Sequence, residues 1–316
     1  MIKLEISEDI VETFYNGVKG YIRLDVFSKK DKAYFTPEKI KEIITCEPRN
    51  FSALSNEIKK QRINNHKMKL AFIGSQEKSK NKSGNFNGYN KFSSKHESEY
   101  RAYTLAEQLN INVCPYCNKN YTYTVIDKSS KIKQKQYTRP DIDHFLPKES
   151  YPYFALSIYN LIPSCLICNR TIKGRKPFST ETHLHPYMDS FNDIHKFSTS
   201  KPLSMCERAT DFEIIFDDKS SDTDLLAKAK KNIEDFVLLP QYNKHKDIVL
   251  ELKEKQALYN EASISNILKD TEVFKIKGEA YLKGLIMGSS LEDKDINKRP
   301  LSKLIKDISK ELELIK

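Results

Sequence analysis

Cys114-Pro-Tyr-Cys117 and Cys165-Leu-Ile-Cys168 enclose the stretch Asp141-Ile-Asp143-His144-Phe145-Leu146-Pro147 and the pair Asn160-Leu161; the second cysteine pair then runs on into Asn169 and Lys173-Gly174. Two CxxC pairs in a chain with six cysteines are an uncommon coincidence, and four thiols paired in this way suit a tetrahedral zinc ion. In a reducing compartment they read as a structural zinc site rather than as disulfides. A redox role fits poorly, because that motif belongs between a strand and a helix of a parallel sheet. One zinc would draw the 114 and 165 segments together across the 47 residues between Cys117 and Cys165. Cys46 and Cys206 stand alone and read as inert thiols.

Asp143 and His144 are neighbours on an expected strand, so their side chains point to opposite faces unless the strand ends there. Pro147, three residues on, marks such an end. Asn169 follows the second knuckle at the start of an expected helix, where it can face the end of the Asp143 strand. A carboxylate, an imidazole and an amide oxygen are thereby expected to converge beside a basic helix. The two oxygens suit a hard divalent cation. The unligated His144 suits general-base work on water. Phosphodiester hydrolysis needs both a nucleophile and a cation that neutralises charge on the phosphate. Asp141 reads as a solvated strand position, with a second site acid as the alternative. Lys173, Arg175 and Lys176 read either as phosphate contacts or as a solvated helix end. His183 and His185 read as surface residues, with reach to the metal as the alternative.

Working outward, residues 1–110 are expected to be mainly helical. Ser7 precedes an apolar pattern at Ile10, Val11, Phe14 and Tyr15, and Thr36-Pro37 opens a second helix with Ile40, Ile43 and Ile44 on one face. Residues 75–97, rich in Ser, Asn, Gly and Lys, read as a basic loop. Residues 111–180 hold the knuckles, with a ribbon from Tyr121 to Phe145, a strand over 158–164 and a short helix from about 166. Residues 178–220 read as irregular. Beyond that, 181–316 is mainly helical, with stripes at Leu226, Ala229, Ile233 and Phe236, at Ile248, Leu252 and Tyr259, and at Leu301, Leu304, Ile305, Ile308, Leu312 and Ile315. The fold class is α+β.

The balance of 53 Lys and Arg against 43 Asp and Glu gives a net charge of +10, which favours a polyanionic partner. No apolar run approaches the 18 residues of a membrane span. The acidic start lacks a signal peptide's apolar stretch, so a cytoplasmic location is expected. With nine Gly, neither GxGxxG nor GxxxxGK[ST] occurs, which removes support for dinucleotide or P-loop binding.

The combination CxxC … DHxxP … N … CxxCNxxxK resembles the HNH (ββα-metal) endonucleases that carry a four-cysteine zinc clasp. The stretches IDHFLPK and YPYFALSIYNLIPSCLICN are similar, more narrowly, to the nuclease subunits of Septu-type anti-phage systems and to retron-linked HNH proteins. The resemblance covers about 114–178. It implies a small ββα-metal centre with a zinc knuckle, flanked by helical N- and C-terminal regions. It also implies that His144 is the general base, that Asp143 and Asn169 bind the catalytic Mg²⁺ or Mn²⁺, and that Asn160 pins the loop and orients the histidine. Lys173 would contact phosphate, and Cys114, Cys117, Cys165 and Cys168 would hold structural Zn²⁺. It implies double-stranded DNA as substrate, a role in phage defence and an ATPase partner, for which the helices beyond about 220 would form the docking surface. Two departures stand out. Asn169 occupies a position where many HNH enzymes have His, and residues 118–139 lengthen the gap between knuckles, as a DNA- or partner-contacting ribbon.

The competing readings are a non-catalytic zinc-ribbon module that binds nucleic acid, and a protein-interaction subunit with an inert centre. Neither requires Asp143, His144, Asn160 and Asn169 together. A zinc deaminase is disfavoured by the lack of an upstream HxE.

Overall fold

The computed structural model describes residues 2–74, 87–94, 99–129 and 135–315. It mixes helices with three two-stranded antiparallel sheets, and none of the described helices is long and apolar enough to cross a membrane. The chain forms two compact units, each assembled from separated segments.

One unit comprises Lys3–Ile111 and Thr122–Asp189. Its helix Glu8–Val18 starts at Ser7, whose hydroxyl accepts from the Ile10 N–H. Helix Pro37–Ile44 starts at Thr36 in the same way and buries Ile40, Ile43 and Ile44. In both, a hydroxyl satisfies a helix N–H that has no intrahelical acceptor. The expected basic loop lies largely outside the described residues, but its end departs from a loop: Gly88–Ser93 is helical and buries Tyr89 and Phe92. Those two aromatics sit three residues apart on one face, which offsets the polar composition. Gly88 has φ +55°, and a Cβ there would lie 2.4 Å from the Phe72 carbonyl oxygen. Only glycine permits that approach.

In this unit β1 (Val125–Asp127) pairs with β2 (Lys135–Thr138), with a register shift between Val125 and Ile126. Next, β3 (Asp141–His144) pairs with β4 (Leu161–Ser164), so that His144 faces Leu161 and Asp143 faces Ile162. The expected ribbon is therefore two separate sheets. Directly after β4, residues Ile167–Lys173 wind as a wide helical turn closed by Gly174 N–H on the Asn169 carbonyl at 2.9 Å, a five-residue step. Such wide turns recur at functional sites.

The other unit comprises the first two residues, Asn112–Tyr121 and Ser190–Lys316. Here β5 (His195–Thr199) pairs with β6 (Ile214–Asp218) inside the stretch expected to be irregular. The strands alternate, with Phe197 and Ile214 buried, but each is only five residues long. Helix Ser302–Glu311 is core: Leu304, Ile305 and Ile308 are buried, and Asp307 accepts from the Phe197 N–H of β5 at 2.9 Å and from Lys303 at 2.7 Å. The last apolar stripe is thus spent inside this unit, which corrects the expectation that it serves as a docking surface.

Asn118 ties this unit together. Its amide donates to the Ile296 carbonyl at 3.0 Å and accepts from the Lys303 N–H at 3.0 Å. Its own carbonyl accepts from Leu301 N–H at 2.6 Å. It is fully buried at φ +49°, a left-handed conformation that asparagine tolerates better than other side chains. Asn118→Ala leaves a buried N–H and a buried C=O unpaired and strains the backbone. It is expected to lower stability by about 2–4 kcal/mol, read as a shift in the urea midpoint at unchanged slope.

Candidate functional site

The site is built on the end of β3. Asp141 and Asp143 are two residues apart and share one face of the strand. The wide helical turn meets that face with side chains spaced about one turn apart. Lys173 Nζ lies 3.0 Å from Asp143 Oδ1 and donates to the His144 carbonyl at 2.7 Å. The side chains of this pair are 2% and 5% exposed. Arg170 grips Asp141 through two bonds of 2.7 and 2.8 Å, and Asn169 donates to the same carboxylate at 3.3 Å. Asn169 therefore meets Asp141, not Asp143, in its printed hydrogen bonding. Lys173 is buried against β3 and lies 5.0 Å from the Phe178 ring centre, whereas Arg170, Arg175 and the intermediate Lys176 lie nearer solvent.

His144 is buried. Its Nε2 lies 3.0 Å from the Ala155 carbonyl, and its ring packs edge-on against Tyr89 at 4.3 Å. A carbonyl can only accept, so Nε2 carries the hydrogen and Nδ1 keeps the lone pair. Burial pushes the imidazole pKa down to about 3, and the nearby Lys148 ammonium acts in the same direction. The ring is neutral at pH 7. Lys148 lies 4.7 Å from the Tyr89 ring centre, and burial lowers its pKa too.

Asn160 fixes the excursion between β3 and β4. Its Oδ1 accepts from Leu146 N–H at 2.7 Å, and its Nδ2 donates to the carbonyls of Leu146 (3.2 Å) and Phe154 (3.0 Å). Below lies an aromatic floor that takes in both histidines of the Thr-His-Leu-His stretch. His183 stacks on Phe178 at 3.6 Å, and His185 packs on Phe145 at 4.2 Å. Both are buried rather than surface residues. The Nε2 of His185 has no hydrogen-bond partner among the described residues, and burial pushes this histidine down to about 3.

The four knuckle thiols, Cys114, Cys117, Cys165 and Cys168, are buried and lie within 4.8 Å of one another. Tetrahedral zinc with bonds of about 2.3 Å spaces its sulfurs roughly 3.8 Å apart, so this cluster can hold the ion. Two N–H groups point at sulfur, from Cys168 to Cys165 at 3.4 Å and from Asn120 to Cys117 at 3.9 Å, as thiolates require. For a second, harder cation the available donors are oxygens, as Mg²⁺ or Mn²⁺ prefers. Asp143 already carries the Lys173 ammonium on Oδ1, so such an ion would have to share the carboxylate.

Sequence reading missed Lys148, Tyr89 and Arg170. Lys148 and Arg170 adjoin motif residues and carried that signal. Tyr89 sits in a polar stretch and carried none.

No family model and no solved structure matches the chain. Over 51 residues the chain is 47% identical to protein ea31 of Escherichia phage lambda, covering 16% of this chain and 17% of that protein. Over 100 residues it is 33% identical to the Septu protein PtuB of Bacillus thuringiensis, covering 31% of this chain and 34% of that protein. The matches thus span about a sixth and a third of these relatives.

Zinc analysis of the purified protein is expected to give about one ion per chain, and Cys117→Ser is expected to lose both the ion and the cooperative melt, because metal binding and folding are coupled. Zinc-free, well-folded protein would contradict this. His185 makes a separate prediction. Its folded pKa of about 3 lies below the ordinary 6.5, so the unfolded chain binds more protons between those values. The stability it permits is complete above pH 6.5 and is lost as pH falls toward 3. His185→Gln should flatten the fall in melting temperature across that window, relative to wild type.

Proposed function

We propose that the chain is a metal-dependent endonuclease of the HNH type that hydrolyses DNA phosphodiester bonds. The observation that carries this is the disposition of His144. A neutral imidazole is held by Nε2 on a backbone carbonyl, with Nδ1 as its basic nitrogen, on the strand that also bears the buried Asp143. An antiparallel partner strand and a helical turn complete the strand–strand–helix order of a ββα-metal centre.

In this reading His144 Nδ1 takes a proton from water as it attacks phosphorus. The low basicity that burial imposes rises when a phosphodiester anion stands beside the ring, since opposite charge favours the imidazolium. Asp143 and the Asn169 amide oxygen would hold Mg²⁺ or Mn²⁺, which supplies charge neutralisation at the phosphate and the leaving oxygen. Lys173 positions the end of β3 through Asp143 and the His144 carbonyl. Asn160 positions His144 through the Phe154–Ala155 backbone. Lys148 and Arg175 are placed to meet phosphate charge, and the net charge of +10 favours DNA. The four cysteines hold structural zinc.

Similarity to a Septu protein over a third of the chain supports a defence role in the cytoplasm, with a partner protein such as an ATPase that restrains or triggers cleavage. A second reading is favoured by the Lys173–Asp143 pair: a carboxylate already neutralised by a buried ammonium is a poorer cation ligand, as in a non-catalytic zinc module that only binds nucleic acid.

Supercoiled plasmid incubated with Mg²⁺, Mn²⁺ or Ni²⁺ separates the two. Wild type is expected to nick and linearise it. His144→Ala is expected to lose roughly 10²–10⁴ in rate while keeping its zinc and its melting temperature. Plasmid binding without cleavage in any of the three metals favours the second reading, and cleavage by His144→Ala within about tenfold of wild type removes His144 as the base.

A further inference from the structure

We propose that the outer face of the β1–β2 ribbon is a stacking platform for a single DNA strand with unpaired bases, and that it leads this strand toward β3. The proposal rests on the nuclease reading above for the identity of the strand as DNA. It goes beyond that reading in assigning a binding surface away from Asp143 and His144.

Along residues 123–127 burial alternates strictly. Tyr123, Val125 and Asp127 are exposed, while Thr124 and Ile126 turn inward. The exposed set shares one face of the ribbon. Across it, Asp127 pairs with Lys135 and Val125 with Thr138. The register shift leaves Tyr137 as the extra residue on β2. A bulge of this kind re-aims a side chain. Tyr137 accordingly sits beside Lys135, whose ammonium is 5.0 Å from its ring centre.

Tyr123 and Tyr137 are 51% and 53% exposed. A water-facing sheet with two such rings is unusual for a surface that has only to be soluble. The occupant follows from the charge around the rings. Lys128, Lys135 and Arg139 stand against the single acid Asp127 on the ribbon's described residues, and the chain as a whole is cationic. Aromatic faces interleaved with cations bind unpaired nucleic acid: bases stack on the rings, and ammonium groups track the phosphates. A duplex keeps its bases stacked on one another and cannot use the tyrosines in this way.

Position gives the platform a purpose. Only Arg139 and Pro140 separate β2 from β3. Seven residues run from Tyr137 to His144, which at full extension span at most about 25 Å. A strand seated on the ribbon is therefore brought within a few nucleotides of His144.

The test uses the full chain carrying His144→Ala, so that the probe survives, with no added divalent ion. Fluorescence anisotropy compares a labelled oligo-dT, the same length of oligo-rU, and a duplex. Tyr123→Ala with Tyr137→Ala is expected to weaken oligo-dT binding at least tenfold, with little effect on the duplex. Tyr123→Phe with Tyr137→Phe is expected to bind within about twofold of the parent, since the ring face is kept. Lys135→Gln should make the salt dependence shallower by about 0.7 in slope. The platform is overturned if the Ala pair binds oligo-dT like the parent, or if the Phe pair loses as much as the Ala pair. Tighter binding of oligo-rU than of oligo-dT overturns the assignment to DNA. The nuclease reading fails separately: wild type that never cleaves plasmid, yet loses oligo-dT with the tyrosines, keeps the platform and loses the enzyme.

Discussion

The carboxamide of Asn160 is the contact on which the candidate site depends. Residues 145–159 leave β3 and must return to β4 in register, and most of them are buried. Their backbone groups need partners inside the protein, because a buried unpaired N–H or C=O costs about 1–3 kcal/mol. Asn160 satisfies three of them at once, at both ends of Leu146 and at Phe154. Its own carbonyl accepts from Phe145 N–H at 3.0 Å. The Phe154 carbonyl is one residue from the Ala155 carbonyl that receives His144 Nε2. Fixing the first largely fixes the second. The orientation of an imidazole is thus set by an amide that never touches it. No aspartate could replace Asn160 without loss, since a carboxylate cannot donate to the two carbonyls.

The second constraint is electrostatic. Asp143 and Lys173 are nearly excluded from water, and removing one partner of such a pair costs about 3–5 kcal/mol by leaving the other charge uncompensated. The pair is not favourable merely for being ionic, because desolvation cancels much of the attraction. What makes it tolerable here is the additional bond from Lys173 to the His144 carbonyl and the Phe178 ring below the ammonium. The neighbouring Asp141 follows the other regime. Arg170 holds it with bidentate geometry, but the guanidinium is largely exposed, so that contact contributes far less. One strand face therefore carries a strongly coupled carboxylate beside a weakly coupled one. Any cation that uses this face meets Asp143 with its charge partly spent and Asp141 with its charge more available. This bears on the alternative, noted from the sequence, that Asp141 belongs to the site.

Much of the architecture was legible because side chains announce it. The hydroxyl caps at Ser7 and Thr36, the apolar stripe ending at Leu312, and the two CxxC pairs are all written in residue types at fixed spacings. The β5–β6 hairpin was not, since five-residue strands offer too few alternations to stand out from a polar loop. The Gly88–Ser93 helix was hidden by the Asn and Gly that surround its two aromatics. Around the site, the sequence named Asp143, His144, Asn160, Asn169 and Lys173 but misjudged what each would touch. Asn169 bonds to Asp141, and Lys173 is turned inward rather than out toward phosphate. The reason is common to both. The decisive partners are backbone carbonyls at His144, Leu146, Phe154 and Ala155, together with a carboxylate brought round by the wide turn after Cys165. A carbonyl is carried by every residue and has no letter of its own. Which carbonyl receives a buried donor is decided by register and by turn width. Those become fixed only when the chain has closed on itself.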